Sequence, residues 1–263
     1  DIHENVDLQI QEKEWVPRIL RRTLSYVYRK YEDYACKKLD VALVPQEIMY
    51  HKYNKFIKTF VIANFPNNLD EKNNAMVNSN KYNLLYSGTL GESRGVFNIL
   101  NLITDLKKID ARYTITIAGR IDDSVLEHVK KHEGWQYVSY LGMLSKDELY
   151  AVYQQNFIGL ILFNNVGQYH MSYALKLFEY MQNGMFVVMP DFGDWITFND
   201  TYKAGVNISP QESKKIAEII SGMDIGHMSK IANDNIENVH KYFTWESQET
   251  KLFEVYEELI DAK

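Results

Sequence analysis

The 263-residue chain reads as an α/β protein, with one complete doubly wound parallel sheet preceded by the tail of a second domain of the same kind. Three observations predict this. From Lys81 onward, short apolar or β-branched runs alternate with longer amphipathic segments, the pattern of parallel strands joined by crossover helices. Phe157-Ile-Gly-Leu-Ile-Leu-Phe163 is apolar throughout, as expected of a central strand covered on both faces. At 46% hydrophobic and 24% charged, the composition is that of a globular chain.

The elements follow in order. Ile10 to Leu39 is one long helical stretch with a break expected at Pro17. Asp40-Val-Ala-Leu-Val44 and Thr59-Phe-Val-Ile-Ala63 read as strands, and 67–80 as a polar linker. One helix and two strands bury too little apolar surface for a whole domain, so residues 1–66 are expected to be the end of a larger one. Asn83-Leu-Leu-Tyr-Ser87 opens the complete sheet, and Val96 to Lys108 has helical apolar spacing. Tyr113-Thr-Ile-Thr-Ile-Ala118 is the next strand, then a helix near Ser124 to His132, then a strand Gln136-Tyr-Val-Ser-Tyr140. Ser145-Lys-Asp-Glu148 is a capping box opening a helix to about Gln154. Tyr173 to Asn183 is a helix ending at Gly184, a residue suited to the left-handed conformation. Met185-Phe-Val-Val-Met189 and Gly205-Val-Asn-Ile208 are strands, and Pro210 marks the start of a helix to about Ser221. Ile231 to Asp261 reads as two helices divided near Phe243-Thr-Trp-Glu246, and 223–263 is expected to pack back towards the first domain.

The formal net charge of −6 disfavours general attraction to nucleic acid. The lone Cys36 permits no intramolecular disulfide and fits a reducing compartment. No run of about 18 apolar residues is available to span a membrane. The absence of a signal-like start and the opening Asp-Ile-His-Glu suggest the interior of a longer polypeptide.

Ligands of doubly wound sheets bind beyond the carboxyl ends of the strands. After the first strand, Ser87-Gly-Thr-Leu-Gly-Glu-Ser-Arg-Gly95 offers glycines that let amides approach an anion, a helix start, and the charge of Arg94. A plain loop with a solvated arginine fits the same residues. After the second strand, Arg120 suits a phosphate or ribose, or a surface pair with Asp122 or Asp123. After the third, Gly142 and Met143 could hold a flat base, or form an ordinary turn. Glu179 lies among Leu177, Phe178, Tyr180 and Met181, where a carboxylate requires a partner. A ribose diol would serve, and amides near Leu175 would face a diphosphate. A surface pair between Lys176 and Glu179 is the alternative. The fingerprint G-x-G-x-x-G follows none of the predicted strands, which disfavours a nicotinamide dehydrogenase.

Leu175-Lys-Leu-Phe-Glu-Tyr-Met-Gln-Asn-Gly-Met-Phe-Val-Val188 resembles the donor-site signature of the retaining GT-B glycosyltransferases of family 4, the glycosyl transferases group 1. Leu85-Tyr-Ser-Gly88 with Arg94-Gly95, Thr116-Ile-Ala-Gly119, Tyr140-Leu-Gly142 with Ser145 and Glu148-Leu149, and Tyr242-Phe-Thr-Trp245 resemble that family's further motifs in order and spacing. The resemblance implies a GT-B fold of two Rossmann-like domains. Residues 81–222 would bind the donor, and 1–66 would be the remnant of the acceptor domain. It implies transfer of a sugar, with retention, from a UDP-, GDP- or ADP-sugar to a glycan or lipid-linked acceptor in polysaccharide or glycoconjugate synthesis, without a metal or other cofactor.

By the same resemblance, Gly88, Arg94, Arg120, Leu175 and Lys176 would bind the diphosphate, and Gly142, Met143 and Glu179 the nucleoside. His170 and Met171 would lie at the sugar, and His3 would face the reaction centre. The chain departs from the pattern at Met171, where the family places a glutamate eight residues before Glu179, and at Thr89, where it places an arginine. The departures leave open a non-catalytic GT-B binding or assembly module. The 15–38 helix, with Trp15, Arg18, Arg21, Arg22, Tyr26, Tyr28, Arg29, Lys30, Tyr31, Tyr34, Lys37 and Lys38, is expected either to touch anionic lipid at the cytoplasmic face of a membrane or to be a solvated face of the first domain.

Overall fold

A computed structural model describes residues 1–12, 16–68, 78–171 and 173–261. They form two compact units, 1–68 with 244–263, and 69–243. In the first unit come α1 (Val6–Glu12), α2 (Arg18–Cys36), β1 (Ala42–Val44), α3 (Glu47–Tyr53) and β2 (Thr59–Val61). The strands β1 and β2 are parallel, and the Ile2 amide donates to the Leu43 carbonyl, setting the start of the chain alongside β1. The expected break falls at Pro17, the N-cap of α2, and the part before it is α1, which starts at Val6 rather than Ile10; Trp15 lies outside the described residues. The helix α3 was not expected, because Glu47–Tyr53 is too short to display a clear apolar period.

The second unit holds β3 (Asn83–Ser87), α4 (Val96–Ile109), β4 (Thr114–Ala118), α5 (Asp123–Lys131), a 3-10 helix (Glu133–Tyr137), β5 (Val138–Gly142), α6 (Lys146–Gln155) and β6 (Ile158–Leu160). There follow α7 (Leu175–Gln182), β7 (Phe186–Met189), α8 (Asp194–Tyr202), β8 (Gly205–Asn207), α9 (Ser213–Gly222) and α10 (Ile225–Tyr242). The last helix, α11 (Trp245–Asp261), belongs to the first unit, where Gln248 Oε1 accepts from the Ala63 amide at 3.0 Å. The residues 223–263, expected as one segment, are thus divided between the units at Phe243.

Six parallel strands in the order β5-β4-β3-β6-β7-β8 make the sheet. Leu84, Leu85 and Tyr86 of β3 and all of β6 and β7 are buried, so consecutive residues face covered surfaces on both sides of the sheet. α4 packs on α9, and α7 on α10. At the second pair Phe178 meets Phe198 and Phe243 at ring-centroid distances of 5.9 and 4.9 Å.

Three expected boundaries moved. Gln136 and Tyr137 finish the 3-10 helix instead of beginning β5, and β6 ends at Leu160, with Ile161–Phe163 buried beyond it and the Ile161 amide donating to Val188 O at 2.9 Å. Pro210 sits in a turn ahead of α9 rather than in its first residue. The helix α8 was also unexpected; its buried side chains, Trp195 and Phe198, are too few to mark a stripe.

Candidate functional site

The chain winds outward from β3 to β4 and β5, then resumes on the other side with β6, β7 and β8. A crevice therefore opens beyond the carboxyl ends of β3 and β6, where adjacent connections leave in opposite directions. Two loops and one helix line it. The 88–95 loop follows β3, the 161–171 segment follows β6, and α7 begins at Leu175.

Glycine decides how close these segments come. Gly95, with φ of 81°, is the N-cap of α4, and a Cβ there would collide with the Leu162 carbonyl oxygen. The loop is also tied to the second segment by Asn164, whose amide donates to the Ser93 carbonyl at 2.9 Å and whose side chain donates to Glu92 O at 2.7 Å. Gly88, with φ of 94°, brings the backbone beside Lys176; a methyl there would be in van der Waals contact with Lys176 Nζ at 3.5 Å.

Lys176 lies in the first turn of α7, whose N-cap Ala174 supplies no side-chain cap. Its Nζ is shielded from solvent and has no hydrogen-bond partner among the described residues. It stands 3.6 Å from the ring centroid of Tyr86 and 5.4 Å from that of Phe163, so ring faces give partial compensation. Burial holds its pKa well below the ordinary lysine value, the Arg94 charge adds to this, and Glu179 opposes it. The surface ion pair between Lys176 and Glu179 is not formed: no such pair lies within 4 Å, and the ammonium turns towards Gly88 and the Tyr86 ring.

Arg94 precedes the first turn of α4. Its Nε donates to the Tyr169 hydroxyl at 3.3 Å and its Nη1 to the Thr89 carbonyl at 3.0 Å. Thr89 O also accepts from the Tyr86 hydroxyl at 2.8 Å. At the position where the resemblance anticipates an arginine, the Thr89 backbone thus holds Arg94 in place. One turn beyond Lys176, Glu179 Oε2 accepts from the Tyr153 hydroxyl at 3.0 Å. Burial raises the Glu179 pKa, while the Tyr153 hydrogen bond, Lys176 and Lys146 each pull it back.

The remaining expected residues are spread more widely. Arg120, after β4, is exposed and pairs with Asp123 Oδ2 at 2.6 Å. Gly142, at the end of β5, has φ of 67° and open space above it, and Met143 beside it is 77% exposed. His170 and Met171 are half-buried, and α8 anchors this stretch: the Asp194 amide donates to His170 O at 2.9 Å, and Trp195 Nε1 to Tyr169 O at 2.7 Å. His3 belongs to the first unit, is 71% exposed and lies 2.9 Å from Asp1 Oδ2. Tyr153, Tyr86, Tyr169 and Ser87 were not anticipated. Tyr86 and Ser87 stand in the Leu85-Tyr-Ser-Gly88 motif without a role expected of their side chains, Tyr153 and Tyr169 stand in none, and only the fold brings these hydroxyls to the site. Among the described residues, no group of three or more His, Cys, Asp or Glu side chains is gathered to hold a metal ion.

Residues 68–237 match the family model described as glycosyl transferases group 1. The chain belongs to this family. The fold agrees with it, being that of the GT-B glycosyltransferases. Sucrose-phosphate synthase from Thermosynechococcus elongatus superposes with a TM-score of 0.72 at 15% identity, over 99% of this chain and 68% of that one. Anabaena HepE, solved in complex with UDP and glucose, gives 0.69 at 14% identity over 97% and 70%. A variant of TarM from S. aureus, solved with Fondaparinux, α-GlcNAc-glycerol and UDP, gives 0.68 at 16% over 87% and 46%. The chain thus spans about two thirds of the first two and under half of TarM. A comparison with curated protein sequences finds no match.

Proposed function

We propose that this chain carries the donor-binding half of a retaining hexosyltransferase, which moves a sugar from a nucleoside diphosphate to a glycan or lipid-linked acceptor in polysaccharide or glycoconjugate synthesis. The observation that carries the proposal is Lys176, whose buried Nζ has no hydrogen-bond partner among the described residues and stands at a helix start beside Gly88. A buried cation without a partner is costly, and a diphosphate in the crevice supplies the missing anion. As the bond from the anomeric carbon to the diphosphate breaks, negative charge grows on the departing oxygen. Lys176, Arg94 and the first amides of α7, including that of Leu175, are fixed there in advance to stabilise it. Gly88 adjoins the phosphates, Arg120 is a second-rank diphosphate contact, Gly142 and Met143 receive the base, and Glu179 accepts from the ribose hydroxyls. His170 and Met171 adjoin the hexose, and His3 is assigned to the acceptor side. No metal takes part in this scheme.

The test is calorimetric titration with UDP, GDP and ADP, with and without EDTA, alongside Lys176→Ala and Glu179→Ala. UDP comes first because HepE and the TarM variant were solved with it. Saturable binding that survives EDTA and is weakened by both substitutions is expected, with little turnover by residues 1–263 alone. Failure of the folded protein to bind any nucleotide sinks the proposal. A non-catalytic module is favoured by one observation, Met171, which cannot accept a hydrogen bond from a hexose as a carboxylate does. Nucleotide binding without transfer from any UDP-, GDP- or ADP-sugar by the full-length enzyme would establish that reading.

A lipid-linked acceptor gains support from α2. Its Ser25, Glu32 and Cys36 are buried, while Ile19, Leu20, Val27, Tyr31 and Tyr34 on the opposite side are exposed, Ile19 at 87%. Lys30 and Lys38 share that exposed side, a pattern that suits an anionic lipid surface at the cytoplasmic face of a membrane. Sedimentation with phosphatidylglycerol vesicles is expected at low salt. Equal sedimentation with purely phosphatidylcholine vesicles, or none with either, rejects this contact.

A further inference from the structure

We propose that Tyr153 is a positioning residue: it ends a directed chain of hydrogen bonds that holds the Glu179 carboxylate ready for a sugar diol. This rests on the donor reading above. Four groups from three elements are involved, Ser87 at the end of β3, Tyr153 on α6, and Glu179 and Tyr180 on α7. Ser87, Tyr153 and Tyr180 are buried. The Ser87 amide donates to the Tyr180 oxygen at 2.9 Å, the Ser87 and Tyr180 hydroxyls are 3.3 Å apart, and the Tyr153 hydroxyl lies 3.2 Å from Ser87 Oγ and 3.0 Å from Glu179 Oε2.

Each hydroxyl has one proton to give, and an ionised carboxylate can only accept. With Glu179 ionised, one arrangement satisfies all four contacts. The Ser87 amide donates to Tyr180, Tyr180 to Ser87 Oγ, Ser87 to Tyr153, and Tyr153 to Glu179. Every dipole then points towards the carboxylate, and each bond strengthens the next in a low-dielectric interior. One carboxylate oxygen is thereby fixed against α6, the helix that follows the turn at Gly142, and the remaining lone pairs are left for the ribose hydroxyls. The charged groups acting on Glu179 are Lys176 on its own helix and Lys146 on α6, together with the Tyr153 phenol.

The experiment pairs Tyr153→Phe, which keeps the ring, with Ser87→Ala, which removes the preceding donor. The Glu179 carboxyl is titrated by NMR with selectively carbon-13-labelled glutamate, assigned with Glu179→Gln. Affinities for UDP and 2′-deoxy-UDP are measured in parallel. Burial already raises this carboxyl, so losing the chain must raise it further. The titration of Glu179 is expected to move to higher pH in Tyr153→Phe, and by less in Ser87→Ala. The preference for UDP over its deoxy analogue is expected to fall about tenfold in Tyr153→Phe, the scale of one hydrogen bond to a charged group. If either variant titrates like the native protein, the directed chain is wrong. If the titration moves but the native protein binds no nucleotide, the chain stands and the donor reading fails.

Discussion

Lys176 and Glu179 share one turn of α7, and burial acts on them with opposite sign. The folded chain holds the Lys176 proton less tightly than the unfolded chain does, because burial and Arg94 disfavour the ammonium. Between the depressed folded pKa and the ordinary lysine value the unfolded state therefore binds more protons, so stability rises with pH across that window and the full cost remains below it. Lys176→Met removes the cost. It is expected to stabilise the ligand-free protein at neutral pH by about 1–3 kcal/mol, seen as a higher Tm, while abolishing UDP binding. A lower Tm would mean that the ring contact with Tyr86 outweighs desolvation. A diphosphate beside Lys176 reverses the shift, so binding takes up protons wherever pH exceeds the pKa of the empty site. Titrations in buffers of different ionisation heat are expected to give a positive proton uptake and an affinity that weakens as pH rises. No uptake at any pH, or the same uptake in Lys176→Met, contradicts this.

At the scale of elements, the crevice depends on two connections lying almost in contact. Gly95 serves both, since it caps α4 in the left-handed region and passes over the Leu162 carbonyl. Gly95→Ala meets strain in φ and a backbone collision together, neither relieved by turning a flexible side chain. A loss of about 2–4 kcal/mol is expected, measured as a lower urea midpoint with unchanged slope. Because Arg94 adjoins this residue, UDP affinity should fall as well. Near-native stability would mean the two connections separate at little cost. In the first unit, Lys52 of α3 plays a comparable joining role, with Asp7 of α1 at 2.8 Å and Glu32 of α2 at 3.0 Å.

For the whole molecule, the division into two units gives Lys52 a further consequence. Lys52→Met strands two largely buried carboxylates and is expected to cost about 2–4 kcal/mol. Hydrogen exchange should quicken in α1, α2 and α3 while the six-stranded sheet keeps its protection; uniform loss across both units would show that they do not unfold separately. The strands and the helices α4 to α7 could be read from local pattern, because each carries its apolar period or cap within a dozen residues, Ser145 with Glu148 being the clearest. The helices α3 and α8 could not, since neither has a side-chain N-cap and α3 is only seven residues long. Of the candidate site, the chemistry available beyond the strands was legible in Gly88, Arg94, Lys176 and Glu179, at spacings that fit the family. What each of them meets came from the packing of distant segments. That packing turned Lys176 from Glu179 towards Gly88, seated Arg94 on the Thr89 backbone and brought Tyr153 from another helix to Glu179. The physical reason is that helical period and turn chemistry act over a few residues, whereas desolvation and hydrogen-bond geometry depend on groups brought together from distant parts of the chain.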